Sequence, residues 1–346
     1  MLVYQVDVLY LIDIFLMKTL GISLLLLVTS LLWCCGPIEP YEIATDNTAI
    51  DSVLTNPVLI DSIYQEPELG LKPCITNGGL ANDSGLKTWC WQDVDVAPGG
   101  PETYSFSNDQ LSVSTECNRN QIINVDNRLK FKLDLTKPSA EWCANDFNLR
   151  AEISTSPWLA SHPLGTEEWF GWTYVFGENY IIDKKNPWAF FQQHDGTTGL
   201  APLISFWVMS EGGPGSGKAG EIHVVNATAN SSTYAPTGII PVAGEAINIV
   251  VHIVWAADNT GWLQVWMNQK KVYDVYGATV RNTNPVGGNA KFGIYKWAWR
   301  EQEGVNSSLQ QGITELETFM GPLRIITRLA DDPDFGKKSF ALVSPN

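Results

Sequence analysis

Positive charge is scarce in this 346-residue chain: 22 Lys and Arg stand against 37 Asp and Glu, a formal net charge of −15 at pH 7. A nucleic-acid partner calls for a basic patch or stripe, so that class is set aside. An acidic polysaccharide is not, because a local cationic groove can sit on a globally acidic protein. Histidine is rarer still, with four copies, and the six cysteines contain no Cys-x-x-Cys pair, so the case for zinc is weak. Long apolar runs are missing too. The longest stretch, residues 20–33, falls short of the roughly 18–20 residues of a spanning helix. No segment has the pattern of a long helix, and no internal repeat is evident. Aromatic residues are plentiful instead, with 14 Trp, 13 Phe and 11 Tyr. Such rings fill a large core or serve as stacking platforms, and composition does not separate the two.

Residues 20–33 include Leu24-Leu25-Leu26-Leu27-Val28 and follow Lys18, the order of charged and apolar parts in a secretory signal. Asp7 and Asp13 do not belong in a positively charged leader, and Met17-Lys18 makes a more natural start. The first sixteen residues therefore read as an upstream extension. Cys34-Cys35-Gly36 resembles a bacterial lipoprotein cleavage site, although Trp33 is bulky beside the cut. Two fates stay open: secretion, or attachment to the cell surface or outer membrane through a lipid on Cys34 or Cys35. Residues 1–35 are thus read as a leader. Residues 36–71 carry Glu39, Glu42, Asp46, Asp51, Asp61, Glu66 and Glu68 without one Lys or Arg, an acidic flexible linker. The folded domain is assigned to residues 72–346.

Export gives the remaining cysteines meaning. Cys74, Cys90, Cys117 and Cys143 are an even set, so two disulfides are expected in an oxidising compartment. Three connectivities are possible. Neighbour pairing, Cys74–Cys90 with Cys117–Cys143, closes the shortest loops.

Within the domain the signals are nearly all β. Residues 168–176 alternate, with Phe170, Trp172, Tyr174 and Phe176 on one face. Residues 203–209 are a short apolar run ahead of a Gly-rich loop at 211–220. Ile247, Ile249, Val251, Ile253 and Trp255 again share one side, and Asn268-Gln269-Lys270-Lys271 leads from residues 262–267 into 272–275 in a hairpin-like succession. Many short strands with turn signals between them predict an all-β fold, a jelly-roll sandwich of two concanavalin-like sheets.

Three segments carry the chemistry: Asn148-Leu149-Arg150-Ala151-Glu152-Ile153, Phe191-Gln192-Gln193-His194 and Lys291-Phe292-Gly293-Ile294-Tyr295. Residues two apart in a strand point to the same face. Arg150 with Glu152, Gln192 with His194, and Lys291 with Tyr295 can therefore line one sheet surface, suited to an anionic ligand and able to move a proton.

Arg-x-Glu, Gln-x-His and Lys-x-Gly-x-Tyr in this order resemble the three signature strands of alginate-lyase-type polysaccharide lyases. Lys291 through Trp297 is more similar to the heparinase-I and glucuronan-lyase branch of that architecture. The resemblance covers residues 120–330. Gln193 departs from the usual aliphatic residue, and Phe292 and Lys296-Trp297 stand where alginate lyases carry Ala and a polar ending. These departures bear on the polymer more than on the reaction.

The resemblance implies β-elimination on a uronate polymer. The C5 proton is weakly acidic while the neighbouring carboxylate keeps its charge, so neutralising that charge stabilises the enolate-like transition state. Arg150, through its bidentate fork, and Gln192 are assigned this task. Tyr295 is assigned as acid and potentially as base, and His194 as base or carboxylate neutraliser. Lys291, Glu152, Trp297 and Arg300 are assigned to substrate binding. The scheme requires no metal or cofactor, while a structural calcium ion is compatible with it. A monomer acting on an anionic polysaccharide is expected.

Plainer readings exist for each residue. Arg150 and Glu152 could form an exposed cross-strand ion pair, His194 could be a hydrogen-bonded structural residue beside the Asp195-Gly196 turn, and Tyr295 and Trp297 could pack in the core. His252 is read as structural. A glycoside hydrolase on this fold needs two carboxylates, commonly Glu-x-Asp-x-x-Glu, and no such segment occurs. A non-catalytic carbohydrate-binding or laminin-G-like module would explain the tryptophans but gives no reason for His194 and Tyr295 on matched strands.

Overall fold

The computed structural model describes residue 74 and residues 82–91, 104–105, 111–115, 121–136, 149–155, 162–197, 199–228, 232–337 and 339–346. The leader (1–35), the acidic linker (36–71) and the cysteines at 34, 35, 117 and 143 lie outside the described residues. The first half of the domain supplies β1 (Leu86–Trp89), β2 (Tyr104–Ser105), β3 (Leu111–Thr115), β4 (Ile122–Val125) and β5 (Arg128–Asp134). It continues with β6 (Arg150–Thr155), β7 (Glu167–Phe176), β8 (Trp188–His194) and β9 (Ile204–Val208). The second half adds β10 (Ile222–Asn226), β11 (Thr233–Pro236), β12 (Ala246–Val254) and β13 (Trp262–Met267). Then come β14 (Lys270–Tyr276), β15 (Asn289–Tyr295), β16 (Glu315–Met320) and β17 (Leu323–Arg328).

All pairings between these strands are antiparallel. One sheet runs β14-β13-β12-β7-β16-β5-β4, with β17 bridging β7 and β1. The other runs β11-β10-β9-β8-β15-β6-β3-β2. Two antiparallel sheets with the apolar residues between them make the predicted jelly-roll sandwich. The Cys74–Cys90 disulfide expected from neighbour pairing is present.

The core follows from strand alternation. Phe170, Trp172, Tyr174 and Phe176 of β7 are all buried, as are Ile247, Ile249, Val251 and Ile253 of β12. Trp172 stacks on Phe191 at 5.2 Å and meets Phe292 edge-on at 5.0 Å, so aromatic rings from both sheets interlock. Each such ring contributes about 1.5–3 kcal/mol through burial.

Simple alternation fails at β8. The register against β9 slips between Ala189 and Phe191, and both Phe190 and Phe191 are fully buried. This bulge resets the phase, so Ala189, Gln192 and His194 share the outer face. The hairpin between β13 and β14 turns at Asn268 and Gln269, with φ of 49° and 65°, the mirror-image turn that strand twist favours.

Candidate active site

The three motif strands are direct neighbours. β15 lies between β8 and β6, although it follows both by more than ninety residues. The registers set Tyr295 opposite Arg150, Lys291 opposite both Ser154 and Gln192, and Asn289 opposite His194. Side chains at paired positions project from the same face. Arg150, Gln192, His194, Lys291, Tyr295 and Trp297 thus line one cleft of about 450 Å³.

Gly293 is what lets the central strand pass. Its φ is +136°, and a Cβ there would stand 2.2 Å from the Ala151 carbonyl oxygen. The Tyr174 hydroxyl donates to the Gly293 carbonyl at 2.8 Å from across the core. The glycine in Lys-x-Gly-x-Tyr is thus a packing requirement.

Glu152 corrects an expectation. Assigned to the substrate, it is fully buried and does not line the cleft. The Gln192 amide donates to Glu152 Oε1, and Arg150 Nε lies 3.4 Å from Glu152 Oε2. Glu152 therefore orients the two side chains that face the cleft. The Arg150 guanidinium also sits over the Tyr295 ring, 4.5 Å from its centroid.

His194 accepts a hydrogen bond at Nδ1 from the Gly196 backbone N–H, at 3.0 Å. Neutral imidazole carries one proton, so this contact selects the tautomer with the proton on Nε2. Burial, the Lys291 cation beside it and more distant cations hold His194 below the usual histidine range, with Asp195 working the other way. Lys291 itself is nearly buried.

One wall of the cleft is formed by Gly196, Thr197, Gly199, Leu200, Ala201 and Pro202, which alternation does not announce. Arg281 Nη1 binds Asp195 Oδ2 at 2.7 Å and Arg281 also donates to the Ala201 carbonyl. Asn284 adds bonds to the Asp195 carbonyl and to Thr197 Oγ1, both at 3.2 Å. Burial tends to raise the Asp195 carboxyl, but its hydrogen bonds with Thr197 and Arg281 prevail and lower it.

At the other end, Trp297 meets Trp207 at 4.7 Å, and Trp207 meets Tyr234 at 5.5 Å. Trp207 lines the cleft and was not among the predicted residues; its pairing opposite Ala189 was the signal, visible only with the register. Trp297 begins the 3-10 turn Trp297–Arg300, anchored by the buried Lys296–Asp183 ion pair at 2.9 Å. Burial lowers the Lys296 ammonium to about 8 despite that partner. Burial pushes Asp183 up, but Lys296 and the Ser308 hydroxyl outweigh it and hold the carboxyl well below the usual range. Arg300, expected to bind substrate, is exposed and does not line the cleft, because the turn carries it past the rim. Trp299 packs in the core.

His252 belongs to the other sheet, stacked on Trp169 at 4.0 Å and bonded to Glu167 at 2.9 Å, a structural role as read from the sequence. Among the described residues no group of three or more His, Cys, Asp or Glu side chains is gathered to hold a metal ion.

A family model described as polysaccharide lyase matches residues 91–314. Among solved structures, the chain is similar to an endo-beta-1,4-glucuronan lyase from the fungus Trichoderma reesei, at 15% identity and a TM-score of 0.47, covering 75% of this chain and 98% of that one. It is also similar to an alginate lyase from Alteromonas sp.272, at 14% identity and a TM-score of 0.45, covering 64% of this chain and 96% of that one. No curated protein sequence matches it.

Proposed function

The chain belongs to the polysaccharide lyase family, and we propose that its cleft cleaves a polymer carrying one carboxylate per sugar, with glucuronate-rich chains (glucuronan or ulvan) first and alginate next. The observation that carries this reading is the convergence of Arg150, Gln192, His194, Lys291 and Tyr295 on one cleft. Two fixed cations, Arg150 and Lys291, suit spaced single carboxylates better than a heavily sulfated chain, which would call for many more.

In this reading Arg150 and Gln192 meet the carboxylate beside C5, held in place from beneath by Glu152. His194 donates from Nε2 to the same group. Preorganised donors of this kind each contribute roughly 10²–10³ in rate. The Tyr295 oxygen relays the proton: it receives that of C5 and delivers one to the glycosidic oxygen leaving C4. The C5–H and C4–O bonds break, a C4–C5 double bond forms, and no water is consumed. The sequence is compatible with His194 as base or as neutraliser; the bond from Gly196 favours the neutraliser, because the protonated Nε2 has no lone pair to offer.

This assignment is testable at one residue. His194→Gln, which places an amide N–H near Nε2, is expected to keep much of the turnover, whereas His194→Ala loses roughly 10²–10³. A Gln variant as inert as the Ala variant would point to His194 as the base.

A hydrolase is disfavoured by the cleft itself, whose described lining contains no Asp or Glu. Glu315 and Glu317 lie on the other sheet, paired with Lys132 at 2.6 Å and Lys130 at 3.4 Å. The Cys74–Cys90 disulfide fits an enzyme that works outside the cytoplasm, secreted or lipid-anchored.

The deciding experiment incubates the protein separately with glucuronan, ulvan, alginate and heparin and follows ultraviolet absorbance. Elimination creates a conjugated unsaturated uronate that absorbs; hydrolysis does not. A rise on glucuronan or ulvan is expected. A rise confined to heparin would overturn the substrate assignment, and new reducing ends without absorbance would overturn the reaction.

A further inference from the structure

The sheet opposite the active cleft bears a second cleft, of about 650 Å³. It is lined by Thr173 of β7, Asn248 of β12, Arg324 of β17, Arg128 at the start of β5, Asp126 and Asn346, among others. Thr173 and Asn248 point away from the core because their neighbours Trp172, Tyr174, Ile247 and Ile249 point into it.

Arg324 is the unusual member. It is 5% exposed, yet its guanidinium has no hydrogen bond or ion pair among the described residues. Three other buried or half-buried arginines face carboxylates: Arg150 has Glu152, Arg281 has Asp195, and Arg328 has Asp332 and Asp334. An unpaired buried charge is costly and is ordinarily compensated. Burial alone depresses the Arg324 guanidinium, with no anion opposing it. Arg128 lines the same cleft, its guanidinium 4.8 Å over the Phe319 ring, and pairs with no carboxylate among the described residues. Asp126 is exposed and forms no ion pair with either arginine. Thr173 donates to Asn248 Oδ1 at 2.7 Å, so the Asn248 oxygen is engaged and its amide nitrogen is the end that can meet a ligand.

A guanidinium without an ion pair among the described residues, beside hydroxyl and amide groups and a second arginine, with Asp126 exposed at the cleft and paired with neither, matches a sugar that bears a carboxylate. We propose that this second cleft is a non-catalytic attachment site for the anionic polysaccharide, with Arg324 binding a uronate carboxylate and Thr173 and Asn248 meeting sugar hydroxyls. The identity of the ligand rests on the uronate-lyase reading above; the need for an anion rests on Arg324 alone. Such a site would hold a long chain on the protein between cleavage events, raising its effective concentration at the active cleft.

The test is affinity electrophoresis of the full chain through gels containing glucuronan or alginate, with an uncharged glucan gel correcting for altered mobility. Arg324→Met should weaken retardation by the acidic polymers, raising the apparent Kd about five- to tenfold, while Arg324→Lys weakens it less. Arg150→Met should remain partly retarded, and the Arg150→Met, Arg324→Met pair should not. Cleavage of a short unsulfated oligosaccharide by Arg324→Met should stay at the parent rate. Removing an unpaired buried charge is not expected to unfold the protein; should Arg324→Met fail to fold, Arg324→Gln carries the comparison. Equal retardation of parent and variant overturns the site. If retardation depends on Arg324 but no polymer gains absorbance, the second cleft stands and the lyase substrate assignment falls. If absorbance rises but Arg324 makes no difference, the reverse holds.

Discussion

Tyr295→Phe leaves the protein folded and polymer-bound but slows turnover by roughly 10³- to 10⁴-fold, near the upper end for loss of a general acid–base group. The substitution removes one oxygen. The ring remains under the Arg150 guanidinium, 4.5 Å from its centroid, and the neighbouring Trp297 ring at 5.8 Å is undisturbed. Arg150, Gln192 and Lys291 stay in place to bind the carboxylates, so KM should change by no more than about threefold. A fall in kcat and kcat/KM together, with little change in KM, identifies a group that acts in the transition state and not in binding. The measurement is initial-rate absorbance on the polymer identified by the assay, with binding followed in parallel. If Tyr295→Phe turned over at a tenth of the parent rate or better, another group would have to move the proton.

Gly293→Ala is expected to cripple folding. Two costs combine: a φ of +136°, which L-residues rarely adopt, and a Cβ placed 2.2 Å from the Ala151 oxygen and 2.9 Å from the Glu152 Cα. Backbone atoms of a central strand cannot step aside as a flexible side chain can. Gly196→Ala separates the two effects, since its φ is +77° but nothing lies within 4 Å of its Cβ. Strain alone should cost about 1 kcal/mol at Gly196, while strain plus collision at Gly293 should cost about 3 kcal/mol or more. For a domain of this size that corresponds to a melting temperature lower by about 10 °C, or to insoluble protein. Thermal unfolding of both variants decides it. Were Gly293→Ala to melt with Gly196→Ala, the close approach of β15 to β6 would be wrong.

Much of the architecture was legible in the chain. The alternation at Phe170, Trp172, Tyr174 and Phe176 names the inward face of β7, and strand spacing within each motif puts Arg150 with Glu152, Gln192 with His194, and Lys291 with Tyr295 on a shared face. Glu152 and Arg300 were placed less well. Both were judged by charge and spacing, which say what a side chain could bind but not how deep it lies. Glu152 is buried where Arg150 and Gln192 both bind its carboxylate, and Arg300 leaves the cleft because a 3-10 turn interrupts the strand pattern.

The sequence by itself determined which residues form strands, which face each presents and which chemical groups are available, because side-chain direction in a strand repeats every two residues and is set by local backbone sterics. Tertiary structure decided the rest: that β15 inserts between β8 and β6, that a bulge at Phe190 restores the phase of Gln192 and His194, that Arg281 pins the loop after Asp195, and that Trp207 joins Trp297. Each depends on which distant segments pair and in what register. That choice is made by packing and hydrogen bonding across the whole sandwich, and no local period encodes it.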